Sequence, residues 1–436
     1  MANDGFAVGS PRAWLRLESW AEAAYVALLL LVFIGLSPFE NRDPAALAIG
    51  VPTSGAGDLA RQICYLAVFG VIVAASVQRR GLRGAMAIIP VSMALLLGWC
   101  LLSAVWSGVA GVVFRRAVLE IIIVVSVLLS IDNIGAERGL KLLRYLLIGI
   151  LIVNWISIPL IPQAVHQAGE ADPQLIGNWR GLYFHKNIAG AVCATSAIVF
   201  LFSFVETRRR ADLLLFVGAL GFLYMTKSKS SLAFLPAALL LGAIYRVAWK
   251  NELDRSIVMV GAGLLLVLGL TVGLLQSDFI ANFLQDSSEL TGRAAIWQAE
   301  ANYIAAHPLF GSGFGSFADT GAQSPLAGYF GSNTSAWVQN VAHGHNGYLQ
   351  LLVTIGGIGF VLAMWALVLR PVLLFWPRDD ENLKFKALLF AIFAFCLLHN
   401  LLESDFLEGD GVQWVTMLLV IAMLQNLSAR QKLSWS

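Results

Sequence analysis

The sequence predicts an all-α polytopic membrane protein of about 12 transmembrane helices, with a large loop between the ninth and the tenth. Three observations predict it. Only 13% of the 436 residues are charged, against about 25% in soluble domains, and mean hydropathy is +0.74. Apolar runs of about 20 residues, the length that crosses a bilayer, recur along the chain. Basic residues collect between alternate runs, as expected of cytoplasmic loops.

The runs lie at approximately 20–37, 62–78, 85–105, 112–131, 142–161, 187–205, 212–226, 230–247, 256–276, 345–369, 384–402 and 411–427. Pro159 and Pro162 interrupt the fifth, and the seventh is short. With the N-terminus cytoplasmic, 20 of the 29 cations fall inside, among them Arg79, Arg80, Arg138, Arg144, Arg208, Arg209, Arg210, Arg246 and Lys384. That distribution satisfies the positive-inside rule and places both termini in the cytoplasm. Residues 1–276 then hold nine helices, 277–344 an outer loop, and 345–436 three more helices. The first 18 residues include Asp4, Arg12, Arg16 and Glu18 and no apolar core, so no cleavable signal peptide is expected there. A net charge of +2 gives no case for nucleic acid. Cys64, Cys100, Cys193 and Cys396 each sit in an apolar run and read as small hydrophobes.

Nine cations fall on the outer side: Arg42, Arg61, Arg115, Arg116, Arg180, Lys186, Lys227, Lys229 and Arg293. A cation near hydrocarbon is costly unless paired or solvated. Arg116 has Glu120 four residues on, on the same helix face, and Arg42 has Glu40 and Asp43 beside it. Arg180, Lys186, Lys227, Lys229 and Arg293 have no obvious local acid. An external phosphate or diphosphate suits such cations.

The outer loop is a polar island. Its segment 291–307 has helical spacing in Ile296, Trp297, Glu300, Tyr303, Ile304 and His307, with Thr291 to cap it and Pro308 to end it. Gly311, Gly313 and Gly315 lack the spacing and the preceding strand of a dinucleotide site, and instead predict a tight turn close to another backbone. Asp278, Asp286, Glu289, Glu300 and Asp319 are scattered, which speaks against a metal site. His343 and His345 open the tenth run beside Asn346. Either imidazole could take a proton near neutral pH, as an attacking hydroxyl requires, or could only cap the helix or bind a sugar.

Three stretches carry a resemblance. Arg180-Gly181 with Phe184-His185-Lys186-Asn187 is one. Thr291-Gly292-Arg293 with Trp297, then His307-Pro308-Leu309, Gly311 and Gly313, is the second. His345-Asn346, nine residues, Gly356, two residues and Gly359 is the third. Together they resemble the O-antigen ligase and polysaccharide polymerase family of bacterial envelope glycosyltransferases. Ser103 to Ser107, around Trp106, and Asn400 with Glu403-Ser404 are weaker echoes. The resemblance spans most of residues 100–405. Where the family often has Ser-Arg, this chain has Ser228-Lys229, which can neutralise a phosphate but cannot clamp it bidentately. The His185-Lys186-Asn187 version is more similar to the exopolysaccharide-polymerase branch.

The resemblance implies a GT-C-like fold and a metal-independent, inverting glycosyl transfer that needs no cofactor, on the periplasmic face of the inner membrane. The donor would be a glycan on undecaprenyl diphosphate. The acceptor would be the free end of another lipid-linked unit or, in a ligase, lipid A-core, and a chain-length regulator is a further partner of such polymerases. His345 and Arg293 would be the catalytic residues. Arg180, Lys186, Asn187, Lys229, Arg116, His343 and Asn346 would bind substrate. A transporter of such lipids is the reading from another class, but the sequence shows no second copy of the loop or of the His-Asn pattern. An impermeant thiol reagent on intact cells is expected to label Ser324→Cys and not Arg209→Cys, and the reverse pattern would invert the topology.

Overall fold

The computed structural model describes residues 19–39, 59–168, 175–250, 254–256, 293–316, 325–326, 328–330, 344–377 and 381–434. They fold as helices: α1 (Trp20–Phe33), α2 (Leu59–Met86), α3 (Val91–Leu102), α4 (Ala110–Ile134), α5 (Ala136–Leu160), α6 (Lys186–Thr207), α7 (Arg210–Thr226), α8 (Lys229–Ala248), α9 (Arg293–Ala306), α10 (Gly347–Ala363), α11 (Leu383–His399) and α12 (Val412–Ser434). Each predicted run within the described residues coincides with a helix, and 257–276 of the ninth lies outside them. Six helices are long and apolar enough to cross a membrane, α10 running on through a π-helical turn to Phe375. The protein is therefore a multi-pass membrane protein. The helix of the fifth run tolerates Pro159 one residue from its end and stops before Pro162.

Sequence explains the element ends. Ser19 caps α1 by accepting from Glu22 N at 3.3 Å. Asn346 caps α10 by accepting from Tyr348 N and Leu349 N at 3.0 and 3.1 Å. Small residues set the helix separations, since lipid offers no hydrophobic drive to bring spans together. A Cβ on Gly190 of α6 would stand 2.5 Å from Ser228 Cβ, and one on Gly242 of α8 would stand 2.7 Å from Ala391 Cβ of α11.

Charges lie at the two ends of the bundle. At one end Arg138 holds Glu22 (2.8 Å), Arg80 holds Asp132 (2.7 Å), Arg144 holds Asp212, and Arg246 and Lys384 share Glu206 (2.7 and 2.8 Å). These are the cations that the sequence assigns to the cytoplasmic side. At the other end Arg61 Nε and Tyr65 hydroxyl both donate to Asp410, at 2.9 and 2.7 Å. The expected Arg116–Glu120 pair is replaced. Glu120 accepts from Trp414 Nε1 (2.7 Å) and Gly409 N (2.9 Å), and Arg116 donates to the Gly315 carbonyl.

One span is broken. Gly356 inside α10 has φ +66° and ψ −175°, so the helix ladder stops there. Freed backbone groups at membrane depth need protein partners, and the chain after α9 supplies them. Ser312 N donates to Val353 O (2.9 Å) and Gly313 N to Thr354 O (2.8 Å). Gly357 N and Ile358 N donate to Pro308 O and Leu309 O (2.8 and 3.3 Å). Trp99 Nε1 of α3 takes the Ile355 carbonyl at 2.9 Å. Gly311, Gly313 and Gly315 all have positive φ, and a Cβ on Gly311 would lie 2.7 Å from Gly356 N, so the tight turn against another backbone is as expected. Gly356 admits the backbone of Leu309 and Phe310, while Gly359 faces Trp99 of the neighbouring α3.

Trp106 and Ser103 complete this clasp. Trp106 Nε1 donates to Phe310 O at 3.2 Å, its ring meets Phe310 edge-on at 5.4 Å, and Ser103 Oγ accepts from Phe314 N at 2.8 Å. A side chain at 356 meets both a left-handed backbone and Leu309 O, 2.2 Å from its Cβ. Gly356→Ala should therefore cost about 2 kcal/mol or more and lower the thermal midpoint in detergent. Gly98→Ala, whose Cβ meets nothing within 4 Å, should leave it nearly unchanged.

Candidate active site

Four helices begin around one carboxylate. Glu403, in the turn between α11 and α12, is buried. Its Oε1 accepts from Asn187 Nδ2 at 2.9 Å, Arg293 Nη2 at 3.0 Å and Ser230 Oγ at 3.3 Å. Its Oε2 stands 3.5 Å from His345 Nδ1. Asn187 and Ser230 are the second residues of α6 and α8, Arg293 is the first of α9, and Gly347, the first of α10, donates its N–H to the Glu403 carbonyl at 2.9 Å. Helix N-termini carry unsatisfied N–H groups and partial positive charge, so the spot favours an anion. Burial pushes the Glu403 pKa up, but His345, His399 and Arg293 outweigh it and hold the carboxyl well below the usual range.

His345 sits in a constrained turn. Its φ is +53°, rare for a residue with a side chain. Hydrogen bonds on its C-terminal side hold that conformation: Asn346 N to Ser404 Oγ at 3.1 Å, and Gly347 N to the Asn400 carbonyl at 2.8 Å. On its N-terminal side the Gly344 carbonyl accepts from Trp297 Nε1 of α9 at 3.0 Å. Glu300 of the same helix is buried against Gly344, and burial pushes its carboxyl well above the ordinary pKa.

Three further histidines brace the helix starts. His399 Nδ1 lies 2.7 Å from Asp405 Oδ2, and its Nε2 lies 3.3 Å from Ser231 Oγ in the first turn of α8. His166 Nε2 accepts from Lys186 N at 3.2 Å and meets the His185 ring edge-on at 5.7 Å. His185 is the N-cap of α6, its Nδ1 accepting from Asn187 N at 3.2 Å.

The sequence-predicted residues divide accordingly. His345, Arg293 and Asn187 meet at Glu403. Lys186 and Lys229 open two of the same helices, with Lys186 Nζ 3.4 Å from the Lys227 carbonyl and Lys229 exposed. Arg180 serves its own loop: it is buried, and donates to the Gln163 carbonyl at 2.6 Å and the Phe184 carbonyl at 3.0 Å. Arg116 is engaged by Gly315. Asn346 has its amide oxygen in the α10 cap and its Nδ2 3.2 Å from the Leu401 carbonyl, which makes it a fold residue. His343 lies outside the described residues. Arg293 does have an acid, 110 positions away in sequence. Sequence reasoning missed Glu403, Ser230, His166, His399 and Asp405 as parts of the site. The signal available was the acidic Glu403-Ser404-Asp405 directly after an apolar run.

Residues 214–364 match the family model described as O-antigen ligase, Wzy_C. Over these residues the chain is similar to the O-antigen ligase family. The match contains Lys229, Arg293 and His345, while Asn187 and Glu403 lie beyond its two ends. It supports a glycosyltransferase of ligase or polymerase type. No curated protein matches the chain.

His185 gives the site a pH signature. Burial, aided by His166, Lys186 and His345 and opposed by Glu403, lowers its pKa from 6.5 to about 4. The unfolded chain thus binds this proton more readily, so the stability held by neutral His185 is present above pH 6.5 and is lost as pH falls toward 4. His185→Asn, which can still cap α6, should flatten that part of the stability profile when thermal midpoints are measured between pH 4 and 7.5.

Proposed function

We propose that the protein is a glycosyltransferase that polymerises lipid-linked oligosaccharide units, using a glycan on a polyprenyl diphosphate as donor, at the periplasmic face of the bacterial inner membrane. One observation carries the reading: His345 and Arg293 stand on either side of the same carboxylate, among the starts of four helices that also bring Lys186 and Lys229. An acid–base group and fixed cations are what this displacement needs. The acceptor hydroxyl oxygen attacks the anomeric carbon while His345 takes its proton through Nε2, Nδ1 being turned to Glu403. The bond from the anomeric carbon to the phosphate oxygen breaks on the opposite face, which inverts the configuration. The diphosphate leaves with its bonding pair, its charge met by Arg293, Lys186, Lys229 and the helix N-termini.

A ligase that passes the glycan to a different acceptor is the second reading, favoured by the family description over residues 214–364. The His185-Lys186-Asn187 segment favours the polymerase. Purified protein given only lipid-linked repeat units decides between them. A ladder of products supports the polymerase, product only on addition of a second acceptor supports the ligase, and no new glycosidic bond overturns both. Arg293→Ala should reduce turnover by about 10²-fold or more, the size of a lost electrostatic donor, with partial recovery in Arg293→Lys. His345→Gln should be as slow as His345→Ala if proton transfer is its role, and a fully active Gln variant would reduce His345 to positioning.

A further inference from the structure

Glu403 asks for the same donors as a diphosphate. Arg293, Asn187 and Ser230 all address one oxygen, Oε1, and the starts of α6, α8, α9 and α10 supply the surrounding positive potential. These are charge-assisted contacts, the kind a phosphate oxygen would make with the same groups. The arrangement is layered. The side chains of Arg293 and His345 are 19% and 22% exposed, while that of Glu403 is 7% exposed. An anion approaching from outside therefore reaches Arg293 and His345 first and finds a carboxylate beneath them. Two anions cannot both hold a single guanidinium and a single amide at full strength, and like charges brought together in such a site oppose each other.

We propose that Glu403 is a built-in competitor for the donor diphosphate, so that donor binding draws Arg293, Asn187 and Ser230 away from Oε1 and leaves His345 as the main partner of the carboxylate. The inference rests on the glycosyl-transfer reading above. It has two consequences. With its other donors gone, the Glu403 charge acts on His345 Nδ1–H, which makes Nε2 a stronger base at the moment the donor is in place. The acceptor proton then moves to Nε2 and gives an imidazolium paired with Glu403, while the lipid diphosphate departs as the anion. Afterwards Glu403 reclaims Arg293 and helps to expel that diphosphate. Glu403 is thus a positioning residue that couples donor binding to base strength, and such coupling is reciprocal between the two ligands of a shared group.

The test separates binding from turnover. Binding of inorganic pyrophosphate and of undecaprenyl diphosphate to the detergent-solubilised full chain is measured for the wild type and for Glu403→Gln, an isostere without the charge. The expected result is tighter binding in Glu403→Gln, by about tenfold, with turnover of lipid-linked donor lower by about 10²-fold. A group that only supports the fold would weaken both. If Glu403→Gln does not give a monodisperse protein, Glu403→Asp takes its place. One methylene shorter, it gives up part of its hold on Arg293 and should also bind diphosphate more tightly, by a smaller factor. Unchanged or weaker diphosphate binding in the folded variant overturns the competitor role while leaving the glycosyl-transfer reading intact. A wild type that binds neither probe overturns the reading on which it stands.

Discussion

Glu403 is a buried carboxylate, and satisfying it draws several helices together at one end of the bundle. Its partners come from α6, α8, α9 and the turn before α10, which are far apart in sequence. Breaking a buried pair by removing one partner costs about 3–5 kcal/mol, because the other charge is left stranded. Each helix start is therefore tied to the others through one side chain. The helix dipoles act in the same direction, since four N-termini brought together would repel without an anion among them. Structure and chemistry thus share a requirement: the positive potential that needs Glu403 is the potential that would stabilise a leaving diphosphate.

The break in α10 solves a second problem. A continuous helix would leave the segment after α9 with no backbone partners. By stopping the ladder at Gly356, the span exposes the carbonyls of Val353, Thr354 and Ile355, and Ser312, Gly313 and Trp99 satisfy them. The Gly357 and Ile358 N–H groups find Pro308 and Leu309 in return. Three carbonyls and two N–H groups at the break are thus paired across it, and the clasp fixes where α9 sits. Because α9 carries Arg293 and Trp297, and Trp297 holds the carbonyl before His345, the clasp also sets the distance between the two chemical groups.

The opposite end shows how the same chain handles charges without a site. Glu22, Asp132, Asp212 and Glu206 each meet an Arg or Lys from another helix, often with two donors on one carboxylate. Those pairs join neighbouring helices two or three at a time. Glu403 differs in drawing on four helix starts and in facing a histidine.

The sequence by itself determined the elements that depend on local chemistry. Apolar run length set the helices, basic residues sorted the two ends, and Pro308 and the glycines that follow it marked the turn after α9, because each of these rests on near neighbours in the chain. It also singled out Arg293, His345, Lys186, Asn187 and Lys229. The tertiary structure decided what those residues meet. Arg293 looked unpaired because its acid lies 110 positions away, and Arg180 looked available because the carbonyls of Gln163 and Phe184 carry no signal in side-chain identity. Glu403 carried only a weak echo of the family and no role for the same reason. An acid after an apolar run has no periodicity to report its partners, and its role exists only where four helix starts are brought to one point by long-range packing.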